Sequence, residues 1–370
     1  MYRILVFGMT ENPGGIESFL MSYYRNINRD KFQFDFLCNS YKPIAYEKEI
    51  NNLGGRCFHI IARSKNYHKY KEELQNVFQK YSKDWNAIWV NVCSLANIDY
   101  LKIAKKYGIS RRIIHSHNSA NMDSRLRGLL HIWNRRNINK FATDYWACSK
   151  DAACWFYNSK IMSKVIIIHN AIDVCKMQFN ETTRQLIREK YRWGDRKIIG
   201  NVGRLHFQKN QIFMLDIFSF ILKKIPDAIL VLIGQGEDEK KIREKIDDLK
   251  IQDSVYMMGL QSNISDWLST FDLFLFPSIF EGLSISAMEA QASGVSILAS
   301  DNVIPFEVKM NNNFCFWSLD ENAESWAEKA CNMLQQAERI DCKMVKKTFE
   351  EAGYDIAMEA KRLEKILANG

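Results

Sequence analysis

Two Rossmann-like domains of α/β type, each a doubly wound parallel sheet, are what this sequence predicts, and three observations carry the prediction. The chain has 370 residues, more than twice the usual domain length and enough for two separate cores. Its short β-branched and aromatic runs are continuously apolar, as strands covered on both faces by helices must be. Helix-periodic segments separate many of these runs, so strand–helix alternation extends nearly throughout.

In order, "YRILVFG", "FQFDFLCN", "AIWVNV", "RRIIHSHN", "YWACS" and "KVIIIHN" read as six strands of a first sheet. "KIIGNVG", "AILVLIG", "SVYMMG", "DLFLFPS" and "VSILAS" read as strands of a second sheet with about as many. Among the intervening helices are "GIESFLMSYYRNI", "NIDYLKIAKKYG", "NQIFMLDIFSFILKKI" and "EDEKKIREKIDDL". The polar stretch "DVCKMQFNETTRQLIREKYRWGDR" is the best linker region. The boundary is therefore expected near residue 176, with a first domain over 1–175, a second over 176–352, and a last helix over 353–370 that packs back on the first.

The opening "MYRILVFGMT" has one basic residue before a short apolar run and no small-residue cleavage site, which reads as a buried strand and not as a signal peptide. No run is long enough to span a membrane, so a cytoplasmic location is expected. Nine cysteines, without a C-x-x-C pair, sit mostly in apolar runs. That fits reduced core thiols, with neither disulfides nor zinc. The net charge of +8 is unevenly spread: residues 1–175 hold 26 Lys and Arg against 14 Asp and Glu, the remainder 25 against 29. The basic first half suggests an anionic partner or surface, although solvated lysines alone would give the same excess.

Ligands of open α/β sheets bind beyond the carboxyl ends of the strands. After "DLFLFPS" the loop "IFEG" runs into a helix "LSISAMEAQAS" ended by Gly294. Glu281 thus stands before the helix and Glu289 in its second turn. Backbone N–H groups around Gly282, Leu283 and Ser284 would join the positive helix end in a site for a phosphate or a polarised hydroxyl. The two carboxylates could then grip polyols on either side of a phosphate, as a sugar nucleotide presents them. The bland alternative is a solvated Glu289 and a Glu281 that only favours the helix dipole.

In "NVGRLHFQKNQ" a strand ends at Gly203 and presents Arg204 and Lys209, a fork and a point charge suited to a diphosphate. In "ENPGGIESF" Gly14 and Gly15 allow close backbone approach where a helix begins. The chain lacks both the G-x-G-x-x-G of dinucleotide binders and the P-loop pattern, so hydride transfer and ATP hydrolysis lose support. "RRIIHSHNSA" places His115 and His117 on one strand face with Asn118 at the exit. That spacing could chelate a metal, yet no matching carboxylates are evident. No D-x-D occurs in the chain, so no metal or other cofactor is expected, and cationic side chains and helix ends must stabilise a diphosphate instead.

Residues 123–141, "DSRLRGLLHIWNRRNINKF", mix Arg125, Arg127, Arg135, Arg136 and Lys140 with Leu126, Leu129, Leu130, Ile132 and Trp133. They read either as an interfacial helix on anionic lipid or as an ordinary amphipathic helix with its leucines on the sheet.

Through "PGGIE", "HSHN", "IIHNAID", "GRLHFQKN", "LIGQGE" and "FPSIFEGLSISAMEAQASGV" with its E-x7-E, nearly the whole chain resembles the family 4 retaining glycosyltransferases of the GT-B fold. The likeness is strongest to bacterial enzymes of capsular and exopolysaccharide assembly. The resemblance implies two domains facing across a cleft. It also implies metal-independent transfer of a hexosyl unit from a UDP- or GDP-sugar to a saccharide acceptor, carried on lipid at the inner membrane face. His117 and Glu281 would be the catalytic residues at the transferred sugar, Arg204 and Lys209 would hold the donor diphosphate, and Glu289 the ribose. Gly15 would approach the phosphate or acceptor, Leu260 would lie near the base, and Gly282, Leu283 and Ser284 would complete the donor loop. "HNAID" departs mildly from the family's N-G-[IV]-D, which concerns the hinge. No nucleic-acid partner is implied. The rivals are a sugar-nucleotide epimerase of the same fold and a non-catalytic sugar-nucleotide-binding subunit.

Overall fold

The computed structural model describes residues 1–118, 125–281, 283–301, 308–336 and 338–369. Among them thirteen strands form two wholly parallel sheets. The first holds β1 (Tyr2–Phe7), β2 (Phe32–Cys38), β3 (Cys57–His59), β4 (Ala87–Val92), β5 (Arg111–Ser116), β6 (Asp144–Ala147) and β7 (Val165–Ile167), in the order β3-β2-β1-β4-β5-β6-β7. The second holds β8 (Ile198–Val202), β9 (Ile229–Ile233), β10 (Val255–Met257), β11 (Leu273–Phe276), β12 (Ser296–Ser300) and β13 (Phe314–Trp317), in the order β10-β9-β8-β11-β12-β13. The chain divides into two compact units, Met1–Ala171 with Ile356–Gly370, and Ile172–Asp355.

Alternation along each strand splits its side chains between two helical layers. Ile4 and Val6 pack with Trp89, Ile113 and Trp146 on one face of the first sheet, while Leu5 joins Ile88, Val90 and Ile114 on the other. In the second sheet Phe274 and Phe276 go one way, and Leu273 and Leu275 the other. Burial on both faces leaves β2, β9, β11 and β12 covered at every position, and β9 and β11 are accordingly apolar throughout, while β2 buries the polar Gln33 and Asp35.

The strand β3 and the strand β13 went unrecognised in the sequence. Both are edge strands, three and four residues long, paired on one side and partly exposed, and short edges carry a weak apolar signal. The cysteines also differ from expectation: all nine are free, but Cys93, Cys154 and Cys175 are exposed, while Cys38, Cys148 and Cys331 are buried. The helix Ile356–Ala368 lies in the first unit. Arg111 on β5 donates to the carbonyls of Ile366 and Leu367 at 2.9 and 2.8 Å, and Arg362 donates to the Ile167 carbonyl at 2.8 Å. Ala360, Leu363 and Leu367 are buried beside Ile4 and Phe19.

Candidate functional site

In the second unit the adjacent parallel strands β10, β9, β8 and β11 release their loops at one sheet edge, where open α/β sheets receive ligands. The loops after β8, β9 and β10 lie backbone on backbone. Leu205 N–H donates to the Gln235 carbonyl at 3.1 Å, Asp238 N–H to the Leu205 carbonyl at 3.1 Å, and Gly234 N–H to the Gly259 carbonyl at 2.9 Å. Gly234 has φ +137°, and a Cβ there would overlap the Gly203 carbonyl oxygen. No side chain fits that approach.

Lys209 ends a 3₁₀ turn, Phe207–Lys209. Its ammonium sits 2.6 Å from Glu281 Oε1 and 4.7 Å above the Phe276 ring. Its methylenes lie where a Cβ on Gly203 would come within 3.0 Å. Three further bonds stitch this loop to the one after β11. Gln208 Nε2 donates to the Phe280 carbonyl at 2.9 Å, Ile279 N–H to the Gln208 carbonyl at 2.8 Å, and Asn210 Nδ2 to the Pro277 carbonyl at 3.1 Å. Sequence reasoning passed over Gln208 and Asn210, whose only signal was their place beside Lys209. Arg204 is exposed and forks onto Glu237, with Nε and Oε2 3.0 Å apart. Glu237 was likewise missed, within the glycine-containing "GQGE".

The helix after Glu281 runs from Ile285 to Ala292, with Ser284 as its cap: Ser284 Oγ accepts from Ala287 N–H at 3.4 Å and meets Ser286 Oγ at 3.2 Å. The first-turn N–H groups therefore belong to Ile285, Ser286 and Ala287, which is a correction of the expected set around 282–284. Ser284 is buried in its capping role, Leu283 packs on the core, and Gly282 lies outside the described residues. Glu289 is half-buried, and its carboxylate makes no hydrogen bond or ion pair among the described residues. Burial raises it to about 7 against the opposing pull of the Lys176 charge. Leu260, past β10 and the positive-φ Gly259, is 73% exposed.

In the first unit Gly15 opens the helix Gly15–Asn26, and a Cβ there would meet no protein atom within 4 Å. The turn before it is closed by Glu17, also missed in the sequence, whose Oε1 accepts from Thr10 N–H at 2.9 Å and from Thr10 Oγ1 at 2.6 Å. The strand β5 ends at Ser116, so His117 stands one residue past the strand and not on it. Its N–H donates to the Val92 carbonyl at 3.2 Å, and its Nε2 lies 2.9 Å from Asn91 Oδ1. The rings of His115 and His117 are 4.1 Å apart. Burial pushes His117 down to about 3. It holds His115 well below the usual imidazole range too, helped by repulsion from His117 and opposed by the Ala147 backbone. Both imidazoles are neutral at pH 7.

The helix Arg125–Asn137 turns the ordinary pattern inside out. Its polar side faces the protein: His131 is buried, its Nδ1 accepts from Leu95 N–H at 3.0 Å, and its ring stacks on Trp155 at 4.2 Å. Asn134 donates to the Leu95 carbonyl at 2.7 Å, and Arg135 to the Cys154 carbonyl at 2.8 Å. Leu126, Leu129, Leu130 and Trp133, at helical spacing i, i+3, i+4 and i+7, are exposed, as is Ile132. The alternative in which the leucines pack on the sheet is thereby removed. Residues 123 and 124 and the Arg125 side chain lie outside the described residues. Among the described residues no helix is long and apolar enough to cross a membrane. No group of three or more His, Cys, Asp or Glu among them could hold a metal ion.

Residues 183–351 match the family model of glycosyl transferases group 1. A Bacillus subtilis (strain 168) chain named as the glycosyltransferase EpsF is 31% identical over 356 residues, covering 93% of this chain and 90% of its own. The chain belongs to the group 1 glycosyltransferases and is an enzyme of that class, with relatives in polysaccharide and lipopolysaccharide biosynthesis. An Escherichia coli relative, 29% identical over 103 residues and covering 27% of each chain, is named UDP-Gal:alpha-D-GlcNAc-diphosphoundecaprenol alpha-1,3-galactosyltransferase. Among solved structures, Anabaena Alr3699/HepE in complex with UDP superposes with a TM-score of 0.78 at 15% identity, over 100% of both chains. The fold is GT-B.

Proposed function

We propose that this enzyme moves a hexosyl unit, with retention of configuration and without a metal, from a UDP- or GDP-sugar to a saccharide acceptor carried on lipid. One observation carries the reading: beyond the carboxyl ends of the adjacent strands β8 and β11 stand Arg204 and the Lys209–Glu281 pair, with the unpartnered Glu289 in the helix that follows Glu281. Lys209 and Arg204 hold the diphosphate and stabilise the charge it gains on leaving. Glu281 accepts hydrogen bonds from the transferred sugar, and Glu289, the one carboxylate of the set without a protein partner, accepts them from the ribose. Leu260 lines the base, and Gly15 gives the donor phosphates or the acceptor room beside the first helix. His117, neutral and half-buried, meets the transferred sugar. The first unit takes the acceptor. The UDP held by the Anabaena protein supports the donor class. The diphosphoundecaprenol in the name of the Escherichia coli relative supports a lipid-borne acceptor.

A lipid-borne acceptor places the reaction at a bilayer surface, and the outward apolar face of the helix Arg125–Asn137 fits one. It bears Leu126, Leu129, Leu130 and Trp133 beside exposed Arg127, Arg136 and Lys140. It belongs to the half of the chain with 26 Lys and Arg against 14 Asp and Glu. That combination suits an anionic membrane, and peripheral attachment from the cytoplasmic side is part of the reading.

The test is incubation with UDP- and GDP-hexoses and a lipid-linked saccharide, following nucleoside diphosphate release and the anomeric configuration of the product. Release that needs no acceptor, or an inverted product, would overturn it. A thermal-shift screen names the donor, since a ligand at a hundred times its dissociation constant stabilises by about 2.7 kcal/mol.

A further inference from the structure

Asn91 is 1% exposed, on β4 next to the end of β1. Its Nδ2 lies 3.2 Å from the Phe7 carbonyl and 3.4 Å from the Trp89 carbonyl, while its Oδ1 faces His117 Nε2 at 2.9 Å. Gly8, at φ +138°, makes room for this: a Cβ there would come within 2.8 Å of Asn91 Cβ. The hydrogen-bond inventory then leaves a single assignment. Backbone carbonyls only accept, so the amide must turn its NH2 toward Phe7 and Trp89. Its oxygen, which also only accepts, is left for the histidine. His117 Nε2 must therefore carry the proton, and in a neutral imidazole the lone pair falls to Nδ1. Among the described residues Nδ1 has no hydrogen-bond partner, and His117 is half-buried.

We infer that Asn91 is a positioning residue that fixes the Nε2–H tautomer of His117, so that Nδ1 meets the substrate as a hydrogen-bond acceptor for a sugar hydroxyl. The inference rests on the transferase reading above, in which His117 meets the transferred sugar. The His117 backbone bond to Val92 and the edge of Phe19, 4.9 Å away, hold the ring in place. Among the described residues, His115 on β5 is the only titratable group in ring contact with it. Asn91 from β4 and Phe19 from the helix Gly15–Asn26 bring no charge. Burial is the cause of the lowered His117 titration, and it keeps Nδ1 unprotonated through the neutral range.

The test is nitrogen NMR of the full chain labelled with 15N-histidine, alongside kcat/KM against pH. In the wild type, His117 should show a protonated Nε2 and a lone-pair Nδ1. Asn91→Asp keeps an acceptor facing Nε2 but adds a charge that favours the imidazolium. Its His117 titration should move up by at least one pH unit. Its kcat/KM should fall about tenfold per pH unit below that new value, because Nδ1 becomes a donor. Asn91→Leu should yield a mixture of tautomers and a pH-independent loss of about tenfold or more. A wild-type Nδ1–H tautomer would overturn the inference, as would an Asn91→Asp rate profile that does not follow the NMR titration. Should Asn91→Leu fail to fold, the nearly isosteric Asn91→Asp decides alone. The tautomer is read without turnover, so a failure of the transferase reading would show separately, as absence of donor binding by the wild type.

Discussion

Lys209 Nζ and Glu281 Oε1 stand 2.6 Å apart where β8 and β11 end, with 14% and 7% of their side chains exposed. One side chain is assigned to the donor diphosphate and the other to the sugar, so the pair couples the two ends of the bond to be broken. Lys209 also fixes one oxygen of Glu281, leaving the other for a hydroxyl.

Removing one member of such a pair strands a charge away from water. Lys209→Ala is expected to lower stability by about 3–5 kcal/mol, the scale for an uncompensated buried charge, and turnover by about 10²-fold or more. The double variant Lys209→Met with Glu281→Gln should recover most of the stability and none of the turnover, as read by urea denaturation and initial rates. Recovered turnover would remove the catalytic assignment of both.

Arg204 separates the same two effects more cleanly. Its pair with Glu237 is exposed on both sides, and exposed pairs contribute about 0–1 kcal/mol. Arg204→Ala should leave the denaturation midpoint nearly unchanged while turnover drops about 10²-fold. Near-normal turnover would exclude the diphosphate role.

The outward face of the helix Arg125–Asn137 predicts binding to phosphatidylglycerol vesicles at low salt, with a blue shift of Trp133 emission, and weak binding to phosphatidylcholine vesicles. Burying one large apolar side chain contributes about 1.5–3 kcal/mol, so Leu129→Glu should lower partitioning about tenfold or more with stability unchanged. Equal binding by wild type and variant would remove this surface.

Activity is expected to persist in excess chelator, because the diphosphate charge is assigned to Arg204 and Lys209. Loss that is restored by magnesium or manganese would refute this.

What was legible in the sequence followed from local pattern. Continuous apolar runs marked the central strands, and the spacing of Arg204, Lys209, Glu281 and Glu289 beyond strand ends marked the candidate site. What stayed hidden depends on partners far along the chain. Asn91 is defined by Phe7 and His117, and Glu237 by Arg204, and neither pairing leaves a trace in a window of ten residues. The composition of 125–137 could not tell which face the fold covers, since the deciding contacts come from Leu95 and Cys154. Ser284 was recognised as part of the helix start, but the extent of the first turn needed the backbone.

The last prediction concerns Glu289, whose carboxylate is raised to about 7 by burial. An ionised carboxylate accepts hydrogen bonds from both ribose hydroxyls, whereas the protonated form must spend one oxygen as a donor. Donor affinity should therefore rise with pH toward 7 and level off above it, and Glu289→Gln should flatten that profile. A charged hydrogen bond contributes about 1.5–3 kcal/mol, so the variant should raise the donor KM by roughly 10- to 100-fold above pH 7 with a smaller change in kcat. Glu281→Gln should instead depress kcat more than affinity. Stability should move the opposite way to binding. A carboxyl whose folded pKa lies above its unfolded value favours the fold in its neutral form, an advantage present below about pH 4.5 and lost as pH rises through 7. Without donor, Glu289→Gln should thus be more stable than wild type above pH 7, by on the order of 2–3 kcal/mol, and indistinguishable from it near pH 4. A variant that binds donor as the wild type does at pH 8 would show that this carboxylate does not meet the ribose, and one that gains no stability there would show that it is not held from water.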